Sequence, residues 1–114
     1  NFYCIFNKKK EILFLKNNVK GLFENMFVLP SQGWQKSDFN INLELFSLIK
    51  KISCGIVKHS FTHFDLSANV IVFFIENEDF DLNIEHEFLN SKKIKSKEIP
   101  TLYNKIIKIA LEKT

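Results

Sequence analysis

The sequence predicts an α+β layer fold built as a single domain spanning residues 1–114. Three observations carry that expectation. Short apolar runs joined by polar turns fill the start and middle of the chain, and two stretches with helical spacing stand apart from each other. The 114 residues are enough for one buried core and too few for two.

The runs "NFYCIF" (residues 1–6) and "EILFLK" (11–16), joined by "NKKK", predict an opening β-hairpin with a polar turn. A third strand through residues 26–29 is stopped by Pro30, which has no N–H to offer a ladder. Residues 31–40 then read as a loop with Gly33 and Trp34 at its tip. Leu45, Leu48, Ile49 and Ile52 recur at i, i+3, i+4 and i+7, with Asn42 placed to cap and Lys50 and Lys51 near the end, so an amphipathic helix is expected there. Residues 55–60 and 67–75 read as strands bracketing "KHSFTHFDL" (58–66). The second is so apolar through 70–75 that it should be central and buried on both faces. An acidic turn (76–81), a further strand (85–89) and a lysine-rich connector (91–98) follow. Pro100 and Thr101 then open a helix whose apolar face is Leu102, Tyr103, Ile106, Ile107, Ile109 and Ala110.

Composition narrows the classes of function. The chain is 46% hydrophobic and 25% charged, as ordinary globular proteins are, with no repeat of fixed period. Its longest apolar run, residues 70–75, is far short of the roughly 20 residues that span a bilayer, and no leader pattern of charge, apolar stretch and small residues opens it. The expectation is a soluble, intracellular, monomeric protein with no membrane partner. Asn1 in place of an initiator Met suggests a piece of a longer polypeptide. The net charge of +3 rests on lysine alone, with no arginine, and the wealth of Phe, Ile, Asn and Lys suits an AT-rich genome. Lysine groups at 8–10, 50–51 and 92–97 permit phosphate contacts without requiring them. Cys4 and Cys54 form no CxxC and lie in apolar surroundings, so reduced core thiols are expected.

The motif "KHSFTHFDL" concentrates the chemistry-bearing side chains. His59 and His63 have metalloprotease spacing, but Ser60 stands where HExxH carries its glutamate, so zinc is not expected. A Cys54–His59 pair or a Ser60–His63–Asp65 triad lacks a nucleophile elbow and oxyanion-hole glycines. Glu76, Glu78, Asp79 and Asp81 lack the spacing of a calcium loop. If the chain stays extended through the motif, Phe61, His63, Asp65, Ser67 and Asn69 share one face, and Thr62, Phe64, Leu66 and Ala68 the other. That polar stripe is either the solvated mouth of a buried strand or a cleft that hydrogen-bonds and stacks on a flat heterocycle.

Three segments, taken in order, carry a family resemblance. "GLFENMFVLPS" (21–31) resembles the GLWxxxWEFP segment, "VKHSFTHFDLSANV" (57–70) the VxHxFSHFxLxxxV segment, and "EIPTLYNKIIKIAL" (98–111) the closing LPxxxxKxLxxA helix of the C-terminal, Nudix-like domain of the MutY adenine DNA glycosylases. The similarity spans nearly the whole chain, with the first hairpin and residues 76–98 matching loosely. It implies a Nudix-like mixed sheet flanked by helices, serving as the DNA-repair module that recognises 8-oxoguanine opposite a mispaired adenine. The partner it implies is double-stranded DNA carrying that mispair, in a bacterial cytoplasm at the nucleoid. The family's FSH motif falls on Phe61, Thr62 and His63, with threonine for serine, and Lys58 is the first candidate for a backbone phosphate. Base excision and a 4Fe-4S cluster belong to the family's N-terminal part, so this domain is expected to be non-catalytic and to hold no cofactor. A divergent Nudix hydrolase of oxidised nucleotides is the rival from the enzyme class. Against it, the Nudix signature GX5EX7REUXEEXGU needs several glutamates, and the corresponding segment, residues 29–54, has Glu44 alone. A protein-interaction module using exposed aromatics such as Trp34 is the third reading.

Overall fold

The computed structural model describes residues 1–17, 23–32, 43–46, 48–82, 84–97 and 99–114. Six strands form one mixed sheet: β1 (Phe2–Phe6), β2 (Ile12–Lys16), β3 (Phe27–Val28), β4 (Leu48–Ser60), β5 (Asp65–Ile75) and β6 (His86–Leu89). Two helices, α1 (Ser91–Ser96) and α2 (Thr101–Lys113), accompany it. The order across the sheet is β3-β2-β1-β5-β4, with β6 also paired to β2.

The opening hairpin forms as expected. Asn7 makes its turn, its side-chain oxygen accepting from the backbone N–H of Lys9 (3.1 Å) and Glu11 (2.8 Å) in imitation of a backbone turn, while Lys10 takes a left-handed φ of 60°. Beyond Phe6↔Ile12 the two strands diverge. The segment leading to Pro30 fills the gap: Val28 pairs with Leu15, and the Tyr3 N–H donates to the Pro30 carbonyl at 2.9 Å. Pro30 therefore ends the ladder as an acceptor, the one role its backbone retains.

β5 is central, parallel to β1 from Phe2↔Val70 to Phe6↔Phe74 and antiparallel to β4. Val70, Val72, Phe73 and Ile75 are buried, which accounts for the unbroken apolar run. α2 covers one face. Pro100 precedes its first turn, and Leu102, Tyr103, Ile106, Ile107 and Ala110 are buried, with Ile109 partly so. At roughly 25 cal/mol per Å² of apolar surface, that one stripe is the largest helical contribution to the core.

Two expectations need correction. The helix expected from the spacing of Leu45 to Ile52 does not form; Leu43–Leu45 is a single 3-10 turn, and Leu48–Ser60 is a 13-residue edge strand. Its register shifts between Leu48 and Lys50 and between Ser53 and Gly55, so its inward side chains do not keep a period of two. Secondly, the chain does not stay extended through "KHSFTHFDL"; it reverses there. The lysine-rich connector contains the short helix α1, capped by the Asn90 side chain, which accepts from the Lys93 N–H at 2.8 Å. Gly33 and Trp34, and the expected cap Asn42, lie outside the described residues.

Candidate nucleic-acid interface at the β4–β5 hairpin

β4 and β5 pair down to Ser60↔Asp65, and the Phe61 N–H donates to the Phe64 carbonyl at 2.7 Å. Thr62 and His63 consequently form the apex of a long hairpin, and both are exposed. Neither side chain has a hydrogen bond or ion pair within the described structure, so their donors and acceptors face solvent ready for a ligand. Phe61 is different. It is half-buried, stacks on Phe64 (ring centroids 4.6 Å apart, 25° between planes), meets the His59 ring edge-on at 4.7 Å and contacts Phe23 at 5.8 Å. Phe23 in turn packs on Tyr103 at 5.5 Å, and Tyr103 on Phe2 at 6.0 Å. A line of rings thus ties the apex to the core beneath α2.

The bulge at Gly55 decides which side chains meet α2. Cys54 is the extra residue between Ser53↔Ile71 and Gly55↔Val70, and it moves the helix-facing positions onto Val57 and His59, opposite Ala68 and Leu66. Gly55 holds a φ of +103°, a conformation open to glycine because it has no Cβ. With His59 turned this way, Lys105 on α2 reaches its Nδ1 at 3.0 Å. Burial, and then the Lys105 ammonium, hold the His59 imidazole below its ordinary value of 6.5. The ring is neutral at pH 7, with Nδ1 accepting from lysine.

That depression has a measurable sign. As pH falls below about 6.5 the unfolded chain binds a proton on His59 that the folded chain still refuses, so the fold loses stability on acidification. We expect the urea midpoint to fall less between about pH 7.5 and about pH 5 in His59→Gln than in the parent chain, since glutamine accepts from Lys105 and does not titrate. Because His59 is partly exposed, the difference is small. An identical pH profile in the two proteins would remove the pair from consideration.

Lys58 is exposed and lines a shallow depression with Ile56, Lys105, Lys108, Ile109 and Glu112. The structure thus adds Lys105 and Lys108 to the lysine expected from sequence. Both lie on the exposed side of α2, three residues apart, which the helical period makes legible, but their nearness to Lys58 depends on the packing of α2 against β4. Ser60 and Asp65 face each other across the hairpin, yet no hydrogen bond joins them to His63, and burial raises the Cys54 thiol. Among the described residues these groups assemble no nucleophilic constellation. Among the described residues no group of three or more His, Cys, Asp or Glu is arranged to hold a metal, and Glu44 sits exposed on its 3-10 turn. Residues 33–42 and 47 of the segment that corresponds to the Nudix signature lie outside the described residues. No helix of the described residues is long and apolar enough to cross a membrane.

No protein-family sequence model matches the chain, and no curated protein matches it. Solved structures do. The C-terminal domain of mouse MUTYH, determined in complex with human PCNA, superposes with a TM-score of 0.74 at 11% identity, covering 97% of this chain and 85% of that one. The Nudix domain of Shewanella oneidensis NrtR, determined with ADP ribose, gives 0.69 at 9% identity over 98% and 84%. The MutT protein of Methanosarcina mazei gives 0.60 at 18% identity over 99% and 92%. At these identities the likeness establishes architecture: the chain is a Nudix-like α+β domain, a mixed sheet with helices beside it.

Proposed function

We propose that this domain is a non-catalytic reader of DNA damage, belonging to an adenine DNA glycosylase and recognising 8-oxoguanine opposite a mispaired adenine. The observation that carries the reading is the hairpin apex, where Thr62 and His63 stand exposed and without a partner among the described residues on a ring-anchored Phe61, with Lys58, Lys105 and Lys108 grouped further along β4 and α2. Oxidation turns guanine N7 from an acceptor into an N–H donor and adds an oxygen at C8. The Thr62 hydroxyl accepts from that N–H, and a hydroxyl or imidazole N–H donates to the new oxygen. Phe61 and Phe64 offer aromatic surface beside the base, and the lysines meet phosphates as point charges. The order of the three sequence segments and the likeness to the mouse MUTYH domain support the same assignment. The sequence of residues 29–54, in which Glu44 is the single glutamate, favours it over nucleotide hydrolysis.

The test is differential binding. Fluorescence anisotropy with a labelled duplex should show the 114-residue chain binding 8-oxoguanine opposite adenine more tightly than guanine opposite adenine. Equal affinities for the two, or magnesium-dependent turnover of 8-oxo-dGTP, would overturn the reading.

A further inference from the structure

Away from the hairpin apex, a groove runs between α1, α2 and the β1–β2 turn. Its floor is apolar: Ile12 and Leu89 are fully buried beneath it, Ile94 is half-buried, and Leu111 is 46% exposed. Its rim is cationic. Lys10, Lys95 and Lys108 line it, and among the described residues no acidic side chain does. Lys93, the neighbouring lysine that does pair, turns to Glu87 at 3.9 Å, outside this groove, while the three rim lysines have no ion pair among the described residues. An apolar floor left half open within a ring of unpaired ammonium groups matches one kind of occupant, which brings large apolar side chains and carboxylates together.

We infer that this groove docks a short acidic and apolar segment of a partner protein, its apolar side chains against Ile94 and Leu111 and its carboxylates at Lys10 and Lys95. A nucleic acid backbone satisfies the rim but brings nothing for the floor. The chain's own acidic segment, with Phe80 among Glu76, Glu78, Asp79 and Asp81, has the right composition, yet Phe80 is already packed against Phe46 (4.6 Å), His86 (5.7 Å) and Phe88 (6.1 Å). A second copy would have to unpack that ring, so a separate partner is the better occupant. This inference does not depend on the proposed DNA reading.

The test selects a displayed library of random 12-residue peptides against the 114-residue chain, and measures the enriched peptides by anisotropy. Acidic peptides with two or more large apolar residues are expected to emerge. Leu111→Ser should weaken their binding at least threefold and Lys95→Glu at least tenfold, with affinity falling as salt rises. Both positions are exposed, and unchanged circular dichroism confirms that the variants fold; Lys108 is left intact because it also borders the Lys58 depression. Failure to enrich any peptide, enrichment of neutral or basic ones, or indifference to both substitutions would overturn the inference. So would displacement of the peptides by undamaged duplex DNA, or dimerisation of the parent chain that Leu111→Ser abolishes.

Discussion

Under the proposed reading, Thr62→Ala is expected to lower the preference for duplex with 8-oxoguanine opposite adenine, relative to guanine opposite adenine, by roughly ten- to a hundredfold. That range is about 1.4–2.8 kcal/mol, within the about 1–3 kcal/mol cost of leaving a buried polar group unpaired at the interface. The free protein gives no reason for the fold to suffer, because Thr62 is exposed at the hairpin apex and its hydroxyl has no partner among the described residues to lose. His63→Ala acts in the same direction. Thr62→Ser keeps the hydroxyl and should retain the preference, which separates the hydrogen bond from the methyl group. Lys58→Ala should provide the contrast: losing a phosphate contact lowers affinity for both duplexes alike and reduces the salt slope by about 1, leaving the ratio unchanged. If the ratio survives both Thr62→Ala and His63→Ala, the apex is not the reader.

Much of the sheet was legible because each local signal agreed with the others. The residues flanking "NKKK" had nowhere to go but a hairpin, and Asn7 supplied a turn that its own side chain completes. Residues 70–75 were apolar enough to require two covered faces. The C-terminal helix carried a proline at its start and a wide apolar stripe. β4 misled for a physical reason. An edge strand buries one side at most, so Leu48, Ile49 and Ile56 remain exposed and stop reporting which way they point. Two register shifts then break the alternation that would have betrayed a strand. Its four β-branched residues, Ile49, Ile52, Ile56 and Val57, were the better guide than the i, i+3, i+4, i+7 spacing of Leu45, Leu48, Ile49 and Ile52.

The candidate site was legible in content but not in shape. "FTHF" contains no Gly, Asn, Asp or Pro, the residues that announce a tight turn, so the reversal at Thr62 and His63 left no local mark. It is enforced from outside, by eleven paired positions between β4 and β5 from Leu48↔Ile75 to Ser60↔Asp65. The partnership of His59 with Lys105 spans 46 positions of sequence and depends on a bulge whose only sequence trace is Gly55. Pair contacts of that kind become readable once the register of the sheet is known.

Phe61→Ala should do two things that the apex substitutions do not, destabilising the fold by about 2 kcal/mol and abolishing the duplex preference together. Deleting a fully buried Phe side chain costs about 3–5 kcal/mol, and Phe61 is only half-buried, but it loses three ring contacts at once, with Phe64, His59 and Phe23. For a domain of this size the loss amounts to several degrees in Tm. Phe64→Ala removes a ring that is 44% exposed, so it should move Tm much less. Phe61→Leu restores apolar bulk without an aromatic face, and so recovers part of the stability; whether it also recovers the duplex preference tells whether Phe61 stacks on the base or only holds Thr62 and His63 in place. A Tm unchanged by Phe61→Ala would mean that the line of rings from the apex through Phe23 to Tyr103 does not anchor the hairpin. The exposure of Thr62 and His63 would then describe a free loop and not a preorganised reader, and the geometric basis of the lesion reading would fail with it.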